Sequence, residues 1–508
     1  MMSAAARPQQ TAVPAQDAPP QQGGFTLQVK SQLVVLDVVV TNKKGENVRH
    51  LTKDDFMVFE DKTPQTVLSF EEHLPPPGNA APVAVDSTAE LDRLEPQAPV
   101  TILVLDELTS KFEDLSFARY SLKKYLDTQG DVLSQPTMLI AANYDNIAVL
   151  RDYTTSKKEI ENALEHHMAN YGALMMRSKS QEMAGTAVGA ALGLLDGVAQ
   201  ATEGHPGHKN MIWIGRGFPT IDRSQIFDEQ LAILDAQLSA CTSLLRTARV
   251  TLYSIDPAGL TAAAPVQDEN GMENDPFGGQ VDFDTMAEAT GGRAMHGRND
   301  VDAIIAETVR DGVSFYTLSY RPAAVNDATK PFRNIRVAMR DKSLQASARE
   351  GYFTAPPAVD PWRDAKGKPS QQLVADLGVA GSSWLVYDGV PLQVVRDQAD
   401  PDRFLLHLAA SALTVEGNEP GKANAEVTVL LESFDRRGKL LKKHAYVVAL
   451  HVEHADLPVD LSESLATAPP AARIRVVVRD NKSGKVGADN VFLVDRKLIS
   501  DPTGINRK

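Results

Sequence analysis

Asp106 ends the apolar run Val100-Thr-Ile-Leu-Val-Leu105, and Ser110 follows it four positions later. A carboxylate and a hydroxyl at the end of a strand supply the hard oxygen ligands that a divalent cation such as magnesium or calcium prefers. In an open α/β sheet, the carboxyl ends of the strands are also where ligands bind. Leu108 stands where a third oxygen ligand would serve. The plain alternative makes Asp106 a helix cap or a loop carboxylate with a structural role.

Other residues of types that carry chemistry read more plainly. His205-Pro-Gly-His208 has two imidazoles at chelating spacing, but no cysteine or further histidine stands nearby to complete a zinc site. Glu165-His166-His167 reads as a solvated helix end, where the dipole favours cations. Residues 268–276 are acidic without the order of an EF-hand loop. His451 and His454 fall on opposite faces of an extended strand. The chain has no G-x-S-x-G elbow, no phosphate-binding Walker loop and no G-x-G-x-x-G after a strand. No Ser/His/Asp set is singled out by the sequence, so the expectation is a protein without enzymatic activity.

These residues are positioned by a clear change of pattern along the chain. Leu33–Val40, Phe56–Phe59 and Gln65–Phe70 read as strands, with a turn at Asn42–Gly45. A Pro/Ala-rich stretch leads to Val100, where strands and helices begin to alternate. Strands are expected at 100–105, 137–142, 147–150, 210–214, 249–255 and 293–296. Helices are expected at 115–128, 156–167, 180–201, 226–247, 283–290 and 301–311. That order implies a mostly parallel sheet with helices on both faces. Strands return after Gly312, and 371–508 reads as strand throughout, punctuated by the turns Asp435–Gly438 and Asn481–Gly484.

Composition sets the outer limits. With 508 residues, 43% apolar and 23% charged, the chain is long enough for several domains with ample core. A net charge of −14 argues against nucleic acid or anionic lipid as the main partner. The single cysteine, Cys241, excludes an intramolecular disulfide and reads as a buried apolar residue. No apolar run is long enough to span a membrane. Residues 1–24, rich in Ala, Pro and Gln, read as a disordered tail, without the basic start and apolar core of a signal peptide.

Several segments together resemble a von Willebrand factor type A domain protein, and more closely a bacterial "VWFA-related" subgroup found in acidobacteria. They are Leu33–Asn42, Leu51–Phe56, Phe59–Asp61, the strand into Asp106, His208–Pro219, Tyr253–Leu260, Ala289–Arg293 and Tyr316–Pro322. The resemblance implies a metal-ion-dependent adhesion site, whose ion keeps a position open for a partner's carboxylate. Asp106 and Ser110 match its first loop, and Thr186 its threonine. Arg216, in Ile214-Gly-Arg-Gly217, stands where the family commonly has an aspartate. An arginine there can take a partner's carboxylate directly through bidentate hydrogen bonds. Tyr144 and Asp145 lie on a neighbouring loop. The site is thus expected to be degenerate, with magnesium or calcium at Asp106, Ser110 and Thr186.

The expected architecture is an α/β, Rossmann-like type A domain at 98–312, inserted in a β-sandwich made of 25–75 and 313–355. Linkers at 76–97 and 356–369 flank these units, and a further β-sandwich occupies 370–508. The expected function is adhesion-like binding of a protein or matrix-like partner, in a periplasmic or extracellular setting, with the cytoplasm left open. The alternatives are an intracellular assembly factor or scaffold using the same domain, and a hydrolase in the C-terminal domain.

Overall fold

The computed structural model describes residues 33–74, 82–143, 147–169, 181–223, 226–259, 277, 281–322, 332–354, 362–364, 366–416, 423–452, 457–465 and 470–494. The chain is mixed α/β, with eight α-helices among these residues.

Its centre is a six-stranded sheet. Across the sheet the order is Ala294–Met295, Val250–Ile255, Lys209–Ile214, Val100–Asp106, Val132–Ala142 and Ile147–Ser156. All neighbours run parallel except the last pair, which is antiparallel. Every residue of Val100–Asp106 and of Lys209–Ile214 is buried. That burial follows from helices on both faces and explains runs that are apolar throughout rather than alternating. Helices Phe112–Asp127, Lys157–His166 and Val301–Val313 contribute Leu122, Ile160 and Ile304 to the core on one face. Helices Gln181–Ala201, Asp228–Thr247 and Phe283–Ala289 contribute Leu195, Leu238 and Met286 on the other.

After Val100–Asp106 the chain adds its next strand on one side, and Lys209–Ile214 is later added on the other. The helices following these two strands lie on opposite faces. The strand order therefore reverses here, which opens a crevice at their carboxyl ends.

Two four-stranded sheets flank this unit. One runs Gln345–Ser347, Val34–Thr41, Phe315–Tyr320, Val67–His73, and the other Gly351–Phe353, Phe332–Met339, Phe56–Glu60, Thr63–Gln65. Leu36 and Leu318 of the first share one apolar cluster with Phe56 and Ile335 of the second. The strands before and after the α/β unit are thus paired with one another, Val34 opposite Tyr320 and Val58 opposite Val337.

The C-terminal region differs from an all-strand reading. Gln371–Ser382 is a helix capped by Ser370, whose hydroxyl accepts from Leu373 N. Leu373, Leu377 and Ala380 are buried in the same core as Leu195 and Val198 of the α/β unit. Arg475 is buried, and its guanidinium donates to the carbonyls of Ala380 and Leu385 at 2.8 Å, satisfying the end of that helix. Behind the helix, strands such as Ala423–Asp435 and Ala471–Asp480 pack on Arg403–Ala409 through a separate cluster holding Phe404, Val429 and Val476. The helix Thr88–Leu94 also lies in a stretch that reads as a linker from its Pro/Ala content. No helix among the described residues is long and apolar enough to cross a membrane.

Candidate functional site

The crevice at the strand reversal is closed by Asp106. The residue is fully buried, and its carboxylate accepts from three backbone amides, with the Thr109 hydroxyl also in reach. Oδ1 accepts from Leu108 N at 2.8 Å and Thr109 N at 3.1 Å. Oδ2 lies 2.9 Å from both the Thr109 hydroxyl and Gly217 N. The Thr109 hydroxyl is also 2.8 Å from Gly217 O, so the two loops are held together across the crevice. Burial pushes the Asp106 carboxyl upward, while the hydrogen bonds from Thr109 and Gly217 pull it back.

Glycine is required on the opposing loop. Gly215 has φ +154° and Gly217 φ +64°. A Cβ at Gly215 would meet Asp106 Cβ at 2.0 Å, and one at Gly217 would meet the Phe283 ring at 2.1 Å. The Gly-Arg-Gly sequence thus lets the backbone approach Asp106 while Arg216 points away from the packed loops.

Arg216 is 40% exposed; its Nε lies 3.5 Å from Asp256 and its Nη2 3.9 Å from Asp114. These are ion-pair contacts that leave hydrogen-bonding capacity on the guanidinium. Asp256 follows strand Val250–Ile255, and its Oδ1 accepts from Ala258 N at 2.8 Å. His296 stands beside it, with Nε2 2.7 Å from Asp284; that hydrogen bond favours the imidazolium and raises the His296 pKa.

The other expected site residues are placed as follows. Ser110 is buried, and its hydroxyl has no hydrogen-bond partner among the described residues. Thr186 lies in helix Gln181–Ala201, with its side chain outside the described residues. Tyr144, Asp145, the acidic loop 268–276 and the N-terminal tail also lie outside them. Leu108 is a core residue, 2% exposed and packed with Phe218 and Trp213. A hydroxyl at that position would be buried rather than offered to a ligand.

As placed, the Asp106 carboxylate is turned toward protein donors of its own loop and of the Gly217 loop. Three backbone amides donate to the carboxylate, and the single Thr109 hydroxyl proton is shared between it and Gly217 O. The opposing loop supplies Arg216 where a carboxylate would be needed.

Three features escape the local sequence reading. His167 does not sit at a solvated helix end. It is buried, with Nε2 2.5 Å from Glu107 Oε1, immediately beside Asp106. Their separation of 60 residues hides the pair from any local pattern. His205 and His208 are structural and engage different groups. His205 Nε2 is 2.8 Å from Ala98 O, and His208 Nδ1 is 3.1 Å from Asp37. Finally, the carboxyl edge carries exposed apolar side chains. Phe112 opens the helix after the Asp106 loop and is 44% exposed, Met168 follows His167 at 72%, and Phe227 precedes helix Asp228–Thr247 at 79%. Cys241 is buried, as its type suggests.

No family model matches the chain, and no curated protein is significantly similar to it.

Proposed function

We propose that this chain is a non-enzymatic binding protein that engages a protein or matrix-like partner through the carboxyl edge of its α/β sheet. In this reading the α/β unit is a Rossmann-like domain similar to a von Willebrand factor type A domain. It is inserted between the halves of a β-sandwich and followed by a second β-sandwich. The observation that carries the proposal is the exposure of Phe112, Met168 and Phe227, together with Arg216, at the carboxyl end of the sheet, where Asp106 seals the crevice. Aromatic, methionine and arginine side chains are the residues that interfaces concentrate.

Recognition is metal-independent. Arg216 takes a carboxylate of the partner, the task that an ion performs in type A domains that keep their metal. Asp114 and Asp256 hold the guanidinium in place without consuming its donors. Such a role suits an exported surface or periplasmic protein.

Two experiments test this reading. A photo-crosslinking residue is placed at Phe112, Met168 and Phe227 in the full chain in its native cells, with Leu68 and Val374 as exposed controls. The expected result is one discrete adduct shared by the three edge positions, absent at the controls and reduced by Arg216→Ala. Equal labelling everywhere, or none, sinks the proposal. Calorimetric titration of Mg²⁺, Ca²⁺ and Mn²⁺ into chelator-treated protein is expected to show no saturable binding. Saturable binding lost in Asp106→Ala would overturn the metal-independent mechanism.

A further inference from the structure

A second surface lies on the C-terminal sheet. Strands Ala423–Asp435 and Leu440–Val452 form a hairpin, antiparallel from Ala423 opposite Val452 to Phe434 opposite Leu440. Strand Ala471–Asp480 pairs with the first of them, but no described strand pairs with the outer edge of Leu440–Val452. The register shows which groups line that edge. The Glu426 carbonyl accepts from Asn481 N on the far side of its strand. Backbone groups alternate along a strand, so Val427 and Val429 turn toward their partners Val448 and Tyr446. Ala445, Val447 and Ala449 therefore direct N–H and C=O outward, where no described backbone group meets them. Such a row is a template for one more strand.

The turn that leads into this edge is basic, in a chain of net charge −14. Arg436, Arg437, Lys439, Lys442 and Lys443 fall within eight positions, and all five are exposed. Asp435 shapes the turn: its Oδ1 accepts from Arg437 N at 2.8 Å and from Lys439 N at 2.9 Å. Lys443 Nζ lies 3.0 Å from Glu432, while the other four cations make no ion pair with a described residue. We infer that this edge takes up an extended acidic peptide of a partner as an added strand. The unpaired backbone selects an extended polypeptide, since neither a nucleic acid nor a lipid headgroup offers a matching ladder of amides. The cations select its charge. Lysines guard an edge against indiscriminate pairing, and acidic strands are the ones they admit. Leu440 and Leu441, 44% and 39% exposed, offer apolar contact to the side chains between the acidic ones.

The site is independent of the carboxyl-edge reading, so either stands if the other fails. Its test is fluorescence anisotropy of a labelled peptide alternating valine and glutamate, about ten residues long, titrated with the full chain. A valine–lysine peptide, phosphatidylserine vesicles and a single-stranded oligonucleotide serve as comparators. The expected result is saturable binding of the glutamate peptide alone. It should weaken about tenfold or more when Lys439→Glu and Lys442→Glu are combined, and likewise in Val447→Pro. The proline removes an outward N–H and no bond of the existing ladder. Lys439 and Lys442 are exposed, so their variant remains informative if Val447→Pro fails to fold. The inference is overturned if the glutamate peptide does not bind saturably, if the charge variant binds it unchanged, or if the lysine peptide binds equally well. Binding of vesicles or oligonucleotide alone would also overturn it. So would full binding by a folded Val447→Pro, because the contact would then be charge without an added strand.

Discussion

Two buried aspartates stand at opposite ends of the same sheet and are stabilised in opposite ways. Asp106, at the carboxyl end, is surrounded by neutral donors, three backbone amides and one hydroxyl. Asp37 stands at the amino end, where the first flanking sheet meets the residues that precede two central strands. It accepts from Arg249 Nη2 at 2.6 Å and from the Thr317 hydroxyl at 2.8 Å, with His208 Nδ1 at 3.1 Å. Burial alone would push both carboxyls upward. At Asp106 it prevails, whereas at Asp37 the hydrogen bond from His208 and the charge of Arg249 outweigh it and hold the carboxyl far below the usual range. Asp106 joins two loops of one unit, while Asp37 joins the flanking sheet to the α/β unit through charge. The carboxyl end is closed without a cation, and Arg216 stays 40% exposed beside it.

The largest expected effect is at the charged end. Asp37→Ala leaves His208 and Arg249 without their shared anion and should cost about 3–5 kcal/mol in urea unfolding. A cost under about 1 kcal/mol would mean solvent already screens the cluster. The pH dependence sharpens the contrast. Asp37 has a lowered pKa, so its contribution is complete above the unfolded value of about 4 and is lost as the pH falls below it. Asp106 has a raised pKa, so its titration favours the fold most below about pH 4 and loses that effect as the pH rises. Unfolding midpoints measured from pH 3 to 8 in Asp37→Asn and Asp106→Asn should therefore depart from the parent at opposite ends of the range. Parallel curves would break the comparison.

At the neutral end the costs are smaller. Asp106→Asn keeps one acceptor oxygen but turns an amide group toward donors, with an expected loss of about 1–3 kcal/mol. Leu108→Ser removes a buried leucine from the core, and about 2–4 kcal/mol should go with it. The serine should not restore magnesium or calcium binding in calorimetry, because the Asp106 carboxylate stays turned toward its protein donors. Saturable metal binding by Leu108→Ser would show that the loop opens far more easily than its hydrogen bonds imply.

How far the sequence could be read depended on the distance between partners. Strand Val100–Asp106 is apolar on both faces because helices cover both, and that pattern is visible locally. The position of Asp106 at its end was equally visible. Its closing partner, Gly217, lies 111 residues away, and only the glycine pair around Arg216 hinted at a close approach. Leu108 looked like a missing ligand, but it is core, which no local pattern shows. Helix Gln371–Ser382 was legible in principle. Its buried residues Leu373, Leu377 and Ala380 follow a helical spacing, and Ser370 is a capping residue. Val374 and Val379, exposed on its outer face, and the strands that follow favoured an extended reading instead.

The smallest stability effect should come from the residue with the largest proposed functional one. Arg216→Ala removes two ion pairs longer than a hydrogen bond from a side chain that is 40% exposed. Surface pairs of this kind contribute little, so the unfolding midpoint should move by no more than about 0.5 kcal/mol equivalent. The Asp106 loop does not depend on the guanidinium, since its donors are Leu108, Thr109 and the Gly217 backbone. Partner crosslinking at Phe112 and Phe227 should nevertheless fall sharply. If Arg216→Ala instead destabilised the chain as much as Asp106→Asn, the guanidinium would be a structural counter-ion for Asp114 and Asp256. The two ends of the sheet would then differ only in how exposed their cations are.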